Sequence, residues 1–241
     1  MSDLIIPDWP APARVHALAT MRQGGVSLAP WASFNLGQQS GDDMAAVHEN
    51  RRRLRAHLPD EPRWLSQVHG IECVDAARVT TPLAADASFS RTPGVVCAVL
   101  TADCLPVLFC DQEATVVAVA HAGWRGLAAG VLESTLSAMQ VSPERVLAWL
   151  GPAIGPQAFE VGEEVRAEFC KHNPQAARAF VAKPNDKWLA DIYQLARMRL
   201  ATAGIRRVTS TNWCTVTQSE KFFSYRRDGV TGRMASCIWL E

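Results

Sequence analysis

Apolar residues along this chain fall mostly into short runs that are typical of strands. Three apolar regions, 95–101, 106–110 and 115–120, predict strands, and the continuous run at 95–101 is typical of a strand buried on both faces. The turn at 111–114 would join the last two strands. Shorter runs predict further strands at 15–18, 64–68, 71–74, 146–150, 208–210 and 236–240. We expect 64–68 and 71–74 to form one hairpin or bulged strand around His69 and Gly70.

Longer stretches with helical periodicity lie between these runs. An apolar stripe at Met44, Val47, Leu54 and Leu58 predicts a helix that is capped by Asp42 and runs to about Leu58. Further helices are predicted at 126–139, 161–170 and 192–203. Strands outnumber helices and tight turns often join them, which favours an α+β fold with mixed sheets over a doubly wound sheet. Since no repeat or long linker interrupts the pattern, we expect one domain over residues 1–241.

Composition and charge narrow the class of protein. The 241 residues include 24 Lys and Arg against 24 Asp and Glu, so the formal net charge is zero. This balance argues against a general nucleic-acid binder, which needs a strongly basic face. The sequence has no long uncharged apolar stretch that would span a membrane, and its start lacks the pattern of a signal peptide. We expect a soluble, cytoplasmic protein without a membrane or nucleic-acid partner.

Three polar residues stand where predicted strands give way to turns: His69, Cys104 and His121. Two imidazoles and a thiolate suit Zn²⁺ in a site whose fourth position is open to water or substrate. Their spacing matches no regular zinc motif, and the seven cysteines include no C-x-x-C pair. Two alternatives therefore stay open: a nucleophilic Cys104 with His121 or His69 as its base, and a buried thiol beside two hydrogen-bonded histidines.

Two further segments could bind a substrate. The turn 123–126 opens a predicted helix, so its backbone N–H groups could hold an anion beside Arg125. The segment 222–229 combines aromatic residues with two arginines, which could stack a flat base and bind phosphate. A tight turn and a surface turn are the alternatives. The sequence lacks both the G-x-G-x-x-G and the Walker patterns of nucleotide-binding loops.

Five ordered motifs together resemble the laccase-domain family, also called the YfiH-type or polyphenol oxidase family, whose members are described as purine nucleoside phosphorylases. The motifs are SQVHG (66–70), TADCLP (101–106), HAGWRG (121–126), GPAIG (151–155) and FSYRRDG (223–229). The resemblance extends from Phe34-Asn35-Leu36-Gly37 to the final strand. It implies a layered α/β/β/α fold related to cysteine-hydrolase-like toxin domains.

The resemblance also implies an activity and roles for individual residues. Zinc would be held by His69, Cys104 and His121, as the residue types already suggested. Adenosine, inosine and S-methyl-5′-thioadenosine would be cleaved by phosphate to the free base and ribose or methylthioribose 1-phosphate, with adenosine deamination as a second activity. Asp103 would move a proton, orient a ligand or support the turn. The expected substrate contacts are Arg226, and then Arg22 or Arg125, on phosphate, and Asn35 and Gln67 on sugar or base.

Other activities and assemblies stay open at this stage. A multicopper laccase is disfavoured because the chain has six histidines and no H-x-H pair, although copper could bind in vitro and support weak polyphenol oxidation. Some family members are linked to hydrolytic editing of a peptidoglycan precursor that removes misincorporated L-serine. A scaffold with a structural metal is the weakest alternative, because no fourth ligand stands out. The expected partners are a purine nucleoside and phosphate, in a monomer or a homodimer.

Overall fold

The computed structural model describes residues 4–241. The start of the chain, where we expected no signal-peptide pattern, lies partly outside the described residues. The strands are β1 (Leu4–Ile5), β2 (Val15–Thr20), β3 (Cys73–Asp75), β4 (Ala87–Ser90), β5 (Cys97–Thr101), β6 (Leu105–Asp111), β7 (Val117–Ala122), β8 (Val146–Leu150), β9 (Glu160–Gly162), β10 (Phe180–Lys183), β11 (Lys187–Ala190), β12 (Arg207–Ser210) and β13 (Met234–Leu240). The helices are α1 (Met44–Arg55), α2 (Trp124–Ala129), α3 (Val131–Met139), α4 (Glu163–His172), α5 (Ile192–Thr202) and α6 (Tyr225–Asp228). Short 3₁₀ helices cover Ala76–Arg78, Pro143–Arg145 and Pro174–Ala179.

The strands form three sheets. The largest has the order β12-β8-β6-β7-β4-β3, the second β1-β2-β13-β5, and the smallest β10-β11-β9. In the largest sheet, β12–β8 and β3–β4 are parallel pairs and the other pairs are antiparallel. This arrangement confirms the predicted α+β class with mixed sheets.

Alternating side chains of β6 connect two layers of the core. Val107 and Phe109 pack with the cluster that includes helical residues such as Leu132, whereas Leu108 and Cys110 pack with the second sheet. Successive residues of a strand point to opposite faces, so an apolar residue at every position buries both faces of the sheet. The predicted strand at 106–110 therefore forms part of β6, which is buried on both faces.

The outer face of the second sheet is covered by α1. Ala98 of β5 and Cys237 of β13 share a cluster with Leu54 of α1 and with Phe34 and Leu36 of the preceding loop. Helices α2–α5 cover the opposite outer face, on the largest sheet. The layers thus follow the order α/β/β/α, as the family resemblance implied.

Several predicted boundaries are wrong for local reasons. Asp43, not Asp42, caps α1 by accepting from the Ala45 N–H, and α1 ends at Arg55. The predicted helix at 126–139 starts earlier, as α2 at Trp124, and is divided by Gly130, whose φ of 110° lies in the left-handed region. Val161 belongs to β9 because it pairs with Trp188. Strands β1, β4, β9, β10 and β11 were not predicted.

The predicted hairpin around His69 and Gly70 is also wrong. Its second half is β3, which pairs in parallel with β4 rather than with residues 64–68. The N–H groups of residues 68–70 donate to the carboxylate of Asp86 instead of joining a strand ladder. A distant carboxylate thus replaces the expected sheet pairing.

None of the helices in residues 4–241 has both the length and the apolar character needed to cross a lipid bilayer.

The turn between β6 and β7 is organised by Asp111, which is 0% exposed. Its carboxylate accepts from the backbone N–H groups of Thr115 at 2.6 Å and Val116 at 3.0 Å, and from the Thr115 hydroxyl at 2.9 Å. Burial by itself raises the pKa of this carboxyl, but the hydrogen bonds outweigh it and hold the pKa below the usual range. The turn therefore depends on a buried, ionised carboxylate.

We predict that Asp111→Asn lowers the free energy of unfolding at pH 7 by about 2–4 kcal/mol, because buried N–H groups lose a charged acceptor. The difference in stability between the two proteins should shrink below about pH 4, because Asp111 stabilises the fold only while its carboxylate is ionised. Urea denaturation of both proteins across this pH range measures it. The matched control is Glu113→Gln in the same turn, whose side chain is 64% exposed and should change stability by less than about 1 kcal/mol. Equal losses in the two variants would contradict this role of Asp111.

Candidate metal centre

The fold brings His69, Cys104 and His121 together. One donor atom from each side chain lies within 4.8 Å of the others. The Cys104 Sγ is 3.9 Å from the His69 Nε2, and the two imidazole rings meet at 76° with their centroids 4.8 Å apart. Three residues that are far apart in sequence therefore share one small site.

Strand register places two of these residues side by side. In the β6–β7 pair, Leu105 lies opposite Ala122 and Pro106 lies opposite His121. Cys104 immediately precedes β6, so its thiol reaches the end of β7 where His121 lies. His121 lies at the end of β7, one residue beyond the predicted run at 115–120, and is buried.

Asp86 connects the two histidines and was missed by the sequence analysis. Its side chain accepts from the N–H groups of Val68, His69 and Gly70 at 2.7–3.0 Å and is 2.8 Å from the His121 Nδ1. Its backbone carbonyl also accepts from the His121 N–H at 2.7 Å. The contact at Nδ1 leaves Nε2 of His121 as the metal-binding nitrogen. The only signal in the sequence was that Asp86 is a single acidic residue among alanines, just before β4.

Two residues of the site have positive φ angles without being glycine. The φ of His69 is 60° and that of Asp103 is 86°. Such conformations are uncommon for residues with a Cβ and persist where surrounding contacts hold them. At His69 the contacts come from Asp86, and at Asp103 they include the Ile154 N–H on its carbonyl at 2.9 Å. The backbone on both sides of the site is therefore held by tertiary contacts.

Gly123 leaves space for the three side chains. A Cβ at this position would lie 2.8 Å from the His69 Cδ2, 3.1 Å from the Cys104 Sγ and 3.5 Å from the His121 Cε1. The first distance is shorter than van der Waals contact allows. The glycine at the start of α2 thus allows its backbone to approach the donor group closely.

The electrostatics of the site favour the form of the thiol that binds metals. Burial raises the pKa of Cys104, but the nearby His121 and His69 outweigh it and lower that pKa below the ordinary value. Burial lowers the pKa of His121, whereas the thiolate and Asp86 together raise it. A thiolate with two imidazoles is a set of ligands for a metal ion. Among residues 4–241 no fourth His, Cys, Asp or Glu joins this group, so a bound ion would keep an open position.

Asp103, next to Cys104, is buried and committed to internal contacts. One carboxylate oxygen accepts from the Thr215 hydroxyl at 2.5 Å and the other from the Arg226 N–H at 2.7 Å. These contacts tie the turn before β6 to the start of α6. The structure therefore places Asp103 at a junction of segments beside the donor group.

The two amide residues expected to contact sugar or base have internal partners. The Asn35 amide is 0% exposed, donating to the Ser40 hydroxyl and the Asp42 carboxylate and accepting from the N–H groups of Gly37 and Arg233. The Gln67 amide donates to the Leu100 carbonyl at 2.8 Å and accepts from the Leu100 N–H at 2.7 Å. Both side chains hold loops near the site.

The arginines expected to bind phosphate occupy different surroundings. Arg226 and Arg125 line a cleft of about 250 Å³ whose other charged and aromatic residues are Trp124, Phe159, Glu160, Glu164 and Lys187. The Arg226 guanidinium lies 5.5 Å from the centre of the Phe159 ring, and Nη1 donates to the Glu160 carbonyl. Trp124 follows Gly123 in the chain, but His69, Cys104 and His121 do not line this cleft.

Arg22 is held away from that cleft by other contacts, since its guanidinium donates to the carbonyls of Ala32 and Ser219. The aromatic residues of the segment 222–229 also separate. Phe222 and Phe223 are 0% exposed, whereas Tyr225 is 61% exposed. Of these three rings, Tyr225 is the one accessible to a flat base.

Comparisons with known proteins show relatives with a similar sequence and a similar fold. The family model described as multi-copper polyphenol oxidoreductase laccase matches residues 16–241. The chain is 58% identical to purine nucleoside phosphorylase YfiH of Escherichia coli and 54% identical to purine nucleoside phosphorylase PA4543 of Pseudomonas aeruginosa, over 100% of both chains in each case. The crystal structure of NMB0706 from Neisseria meningitidis, of the DUF152 family model, superposes with a TM-score of 0.96 at 51% identity and covers 99% of each chain.

We predict that Asp86→Asn weakens metal binding by about 10–100-fold, because the variant loses the charge that orients His121 and the loop carrying His69. Competition with a chromophoric chelator measures the affinity, and circular dichroism confirms that the variant is folded. Glu72→Gln is the matched control, since Glu72 is exposed and lies in the same part of the chain. Wild-type affinity in a folded Asp86→Asn protein would show that Asp86 does not orient the ligands.

Proposed function

The chain belongs to the multi-copper polyphenol oxidoreductase laccase family, and from this premise we propose that it is a zinc-dependent purine nucleoside phosphorylase. Its proposed substrates are adenosine, inosine and S-methyl-5′-thioadenosine. In this reaction an oxygen of phosphate bonds to C1′ of the sugar, and the bond from C1′ to the purine nitrogen breaks. The purine leaves with a proton, and the sugar is released as its 1-phosphate.

The observation that carries this proposal is the three-donor group with an open fourth position. Zinc held by His69, Cys104 and His121 would supply a Lewis acid for an oxygen of the substrates. Asp86 holds the His121 ring and the loop of His69 in place. Gly123 keeps the space in front of the donors free.

The cleft that Arg226 and Arg125 line supports binding of an anionic and aromatic substrate pair. We assign Arg226 and Arg125 to the negative charge of phosphate, since one guanidinium group can donate two parallel hydrogen bonds to two phosphate oxygens. The exposed Tyr225 ring is suited to stack on the purine. Asp103 holds the start of α6 through the Arg226 N–H, which makes it a positioning residue in this proposal.

Asn35 and Gln67 act through the loops that they hold. Their amides are occupied by internal partners, so we propose that they position neighbouring backbone rather than bind the sugar or base directly. The proposed partners are accordingly small molecules, a purine nucleoside and phosphate. Adenosine deamination at the same metal is part of the proposal as a side activity.

Hydrolysis is the second candidate function, and a specific contact favours it. Cys104, His121 and Asp86 form a chain of thiol, imidazole and carboxylate, which is the arrangement of a nucleophilic cysteine with an oriented base. Such a site could remove L-serine from a peptidoglycan precursor without a metal. Copper is a further candidate occupant of the donor set. Among residues 4–241 only one group of donors was found, which does not support a multicopper cluster.

We predict that purified protein with quantified metal converts adenosine to adenine and ribose 1-phosphate only when phosphate is present. Chromatography of the products with and without phosphate measures this. Serine release from a muropeptide, with no product from any of the three nucleosides, would instead establish the hydrolase.

Metal removal separates the two mechanisms further. We expect a chelator to abolish phosphorolysis and added Zn²⁺ to restore it, whereas a cysteine nucleophile would work without metal. Cys104→Ala should lose the bound metal and at least about 100-fold in activity while remaining folded. Cys170→Ala is the control, because Cys170 lies on α4 outside the donor group. Full metal content in Cys104→Ala would contradict the ligand set.

A further inference from the structure

Arg233 lies at the edge of the site, although none of the motifs pointed to it. It immediately precedes β13, whose first residue, Met234, pairs with Thr101 at the end of β5. The turn that follows Thr101 carries Asp103 and Cys104. Sheet pairing therefore brings the last loop of the chain beside the cysteine of the donor group.

The guanidinium of Arg233 is only partly satisfied by the protein. Its Nη1 donates to the carbonyls of Thr231 at 2.9 Å and Gly232 at 3.0 Å. Within residues 4–241 its Nε and Nη2 have no recorded hydrogen-bond acceptor, and no carboxylate forms an ion pair with it. Neither nitrogen is among the buried polar atoms that lack a partner, so both reach solvent and can donate to an anion that binds there.

Two negatively charged groups lie near Arg233. Burial lowers the pKa of Arg233, whereas the thiolate of Cys104 and the carboxylate of Asp103 act in the opposite direction. Neither group forms a hydrogen bond or an ion pair with the guanidinium, and the Asp103 oxygens accept from the Thr215 hydroxyl and the Arg226 N–H. The guanidinium is thus close to the donor group while two of its nitrogens remain available.

The loop containing Asn35 holds this arginine in place. The Asn35 Oδ1 accepts from the Arg233 N–H at 2.8 Å and from the Gly37 N–H at 2.9 Å. A Cβ on Gly37 would lie 2.6 Å from the Arg233 Cγ, so only glycine lets the arginine stem pass at this distance. A built and packed position of this kind differs from a mobile surface arginine.

We propose that Arg233 binds the phosphate co-substrate beside the donor group, and that Asn35 and Gly37 position it. This inference rests on the proposed phosphorylase function. The Nε and Nη2 of Arg233 can donate to the oxygens of phosphate. A metal ion held by the donor group would attract the same negative charge. The Phe34–Gly37 motif thereby acquires a role, as the support of a phosphate-binding arginine.

The test compares Arg233→Gln and Arg233→Lys with the wild type. Arg233→Gln should raise the KM for phosphate by at least about 10-fold and leave the KM for the nucleoside and the metal content within about 2-fold. Arg233→Lys should recover part of the loss, because it keeps the charge but not the planar fork. Arg78→Gln is the control, as the Arg78 side chain is 88% exposed and lies outside the site.

Gly37→Ala tests the positioning without removing the arginine. Its Cβ should displace the Arg233 stem, which would raise the KM for phosphate selectively. An unchanged phosphate KM in folded Arg233→Gln would overturn the proposal, and so would an equal rise in both KM values. If Arg233→Gln does not fold, a wild-type phosphate KM in Arg233→Lys would overturn it.

A binding measurement keeps this inference separate from the proposed function. Inorganic phosphate should raise the thermal midpoint of the wild type, and Arg233→Gln should lose that shift. A wild type that binds phosphate through Arg233 but cleaves no nucleoside would contradict the phosphorylase and support the anion site. A wild type that cleaves nucleosides, with an Arg233→Gln variant that binds phosphate equally well, would contradict only the assignment of Arg233.

Discussion

The buried carboxylate of Asp86 is the interaction on which the rest of the site depends. It accepts three backbone N–H groups from the loop of His69 and contacts the imidazole of His121. A buried charge is stable only when hydrogen bonds replace its water, and here those bonds come from the segments that carry two metal donors. The same contacts explain why residues 68–70 form no hairpin. The hydrogen bonds that stabilise the buried Asp86 carboxylate thus determine the geometry of the site.

The two packed sheets hold the third donor in place. Both faces of β6 and β7 are buried, so a shift in their register would expose apolar side chains to the wrong layer. This fixed register holds the start of β6, and with it Cys104, beside His121. Gly123 completes the arrangement by allowing α2 to begin against the donors. The packed layers therefore hold Cys104 and His121 beside each other.

Local charge accounts for how a neutral protein can bind an anion. The formal net charge is zero, yet Arg125 and Arg226 line one cleft and Arg233 lies close enough to Cys104 for the thiolate to affect its charge. A small substrate experiences these nearby groups, whereas a nucleic acid would require a large basic face. The Asp103 carboxylate accepts from the Thr215 hydroxyl and the Arg226 N–H and forms no ion pair with Arg233. The proposed chemistry therefore rests on a few placed charges rather than on the overall charge.

The sequence by itself determined the buried strands, the mixed α+β class and the three residues of the donor group. Each depends on local apolar pattern, on residue type or on motifs that keep their order. Tertiary structure decided what Asp86, Asn35 and Arg233 do. Asp86 lies between alanines, Asn35 contacts a residue almost two hundred positions away, and Arg233 belongs to no distinctive pattern. Their partners are distant in sequence, and only the folded chain brings such groups within hydrogen-bond distance.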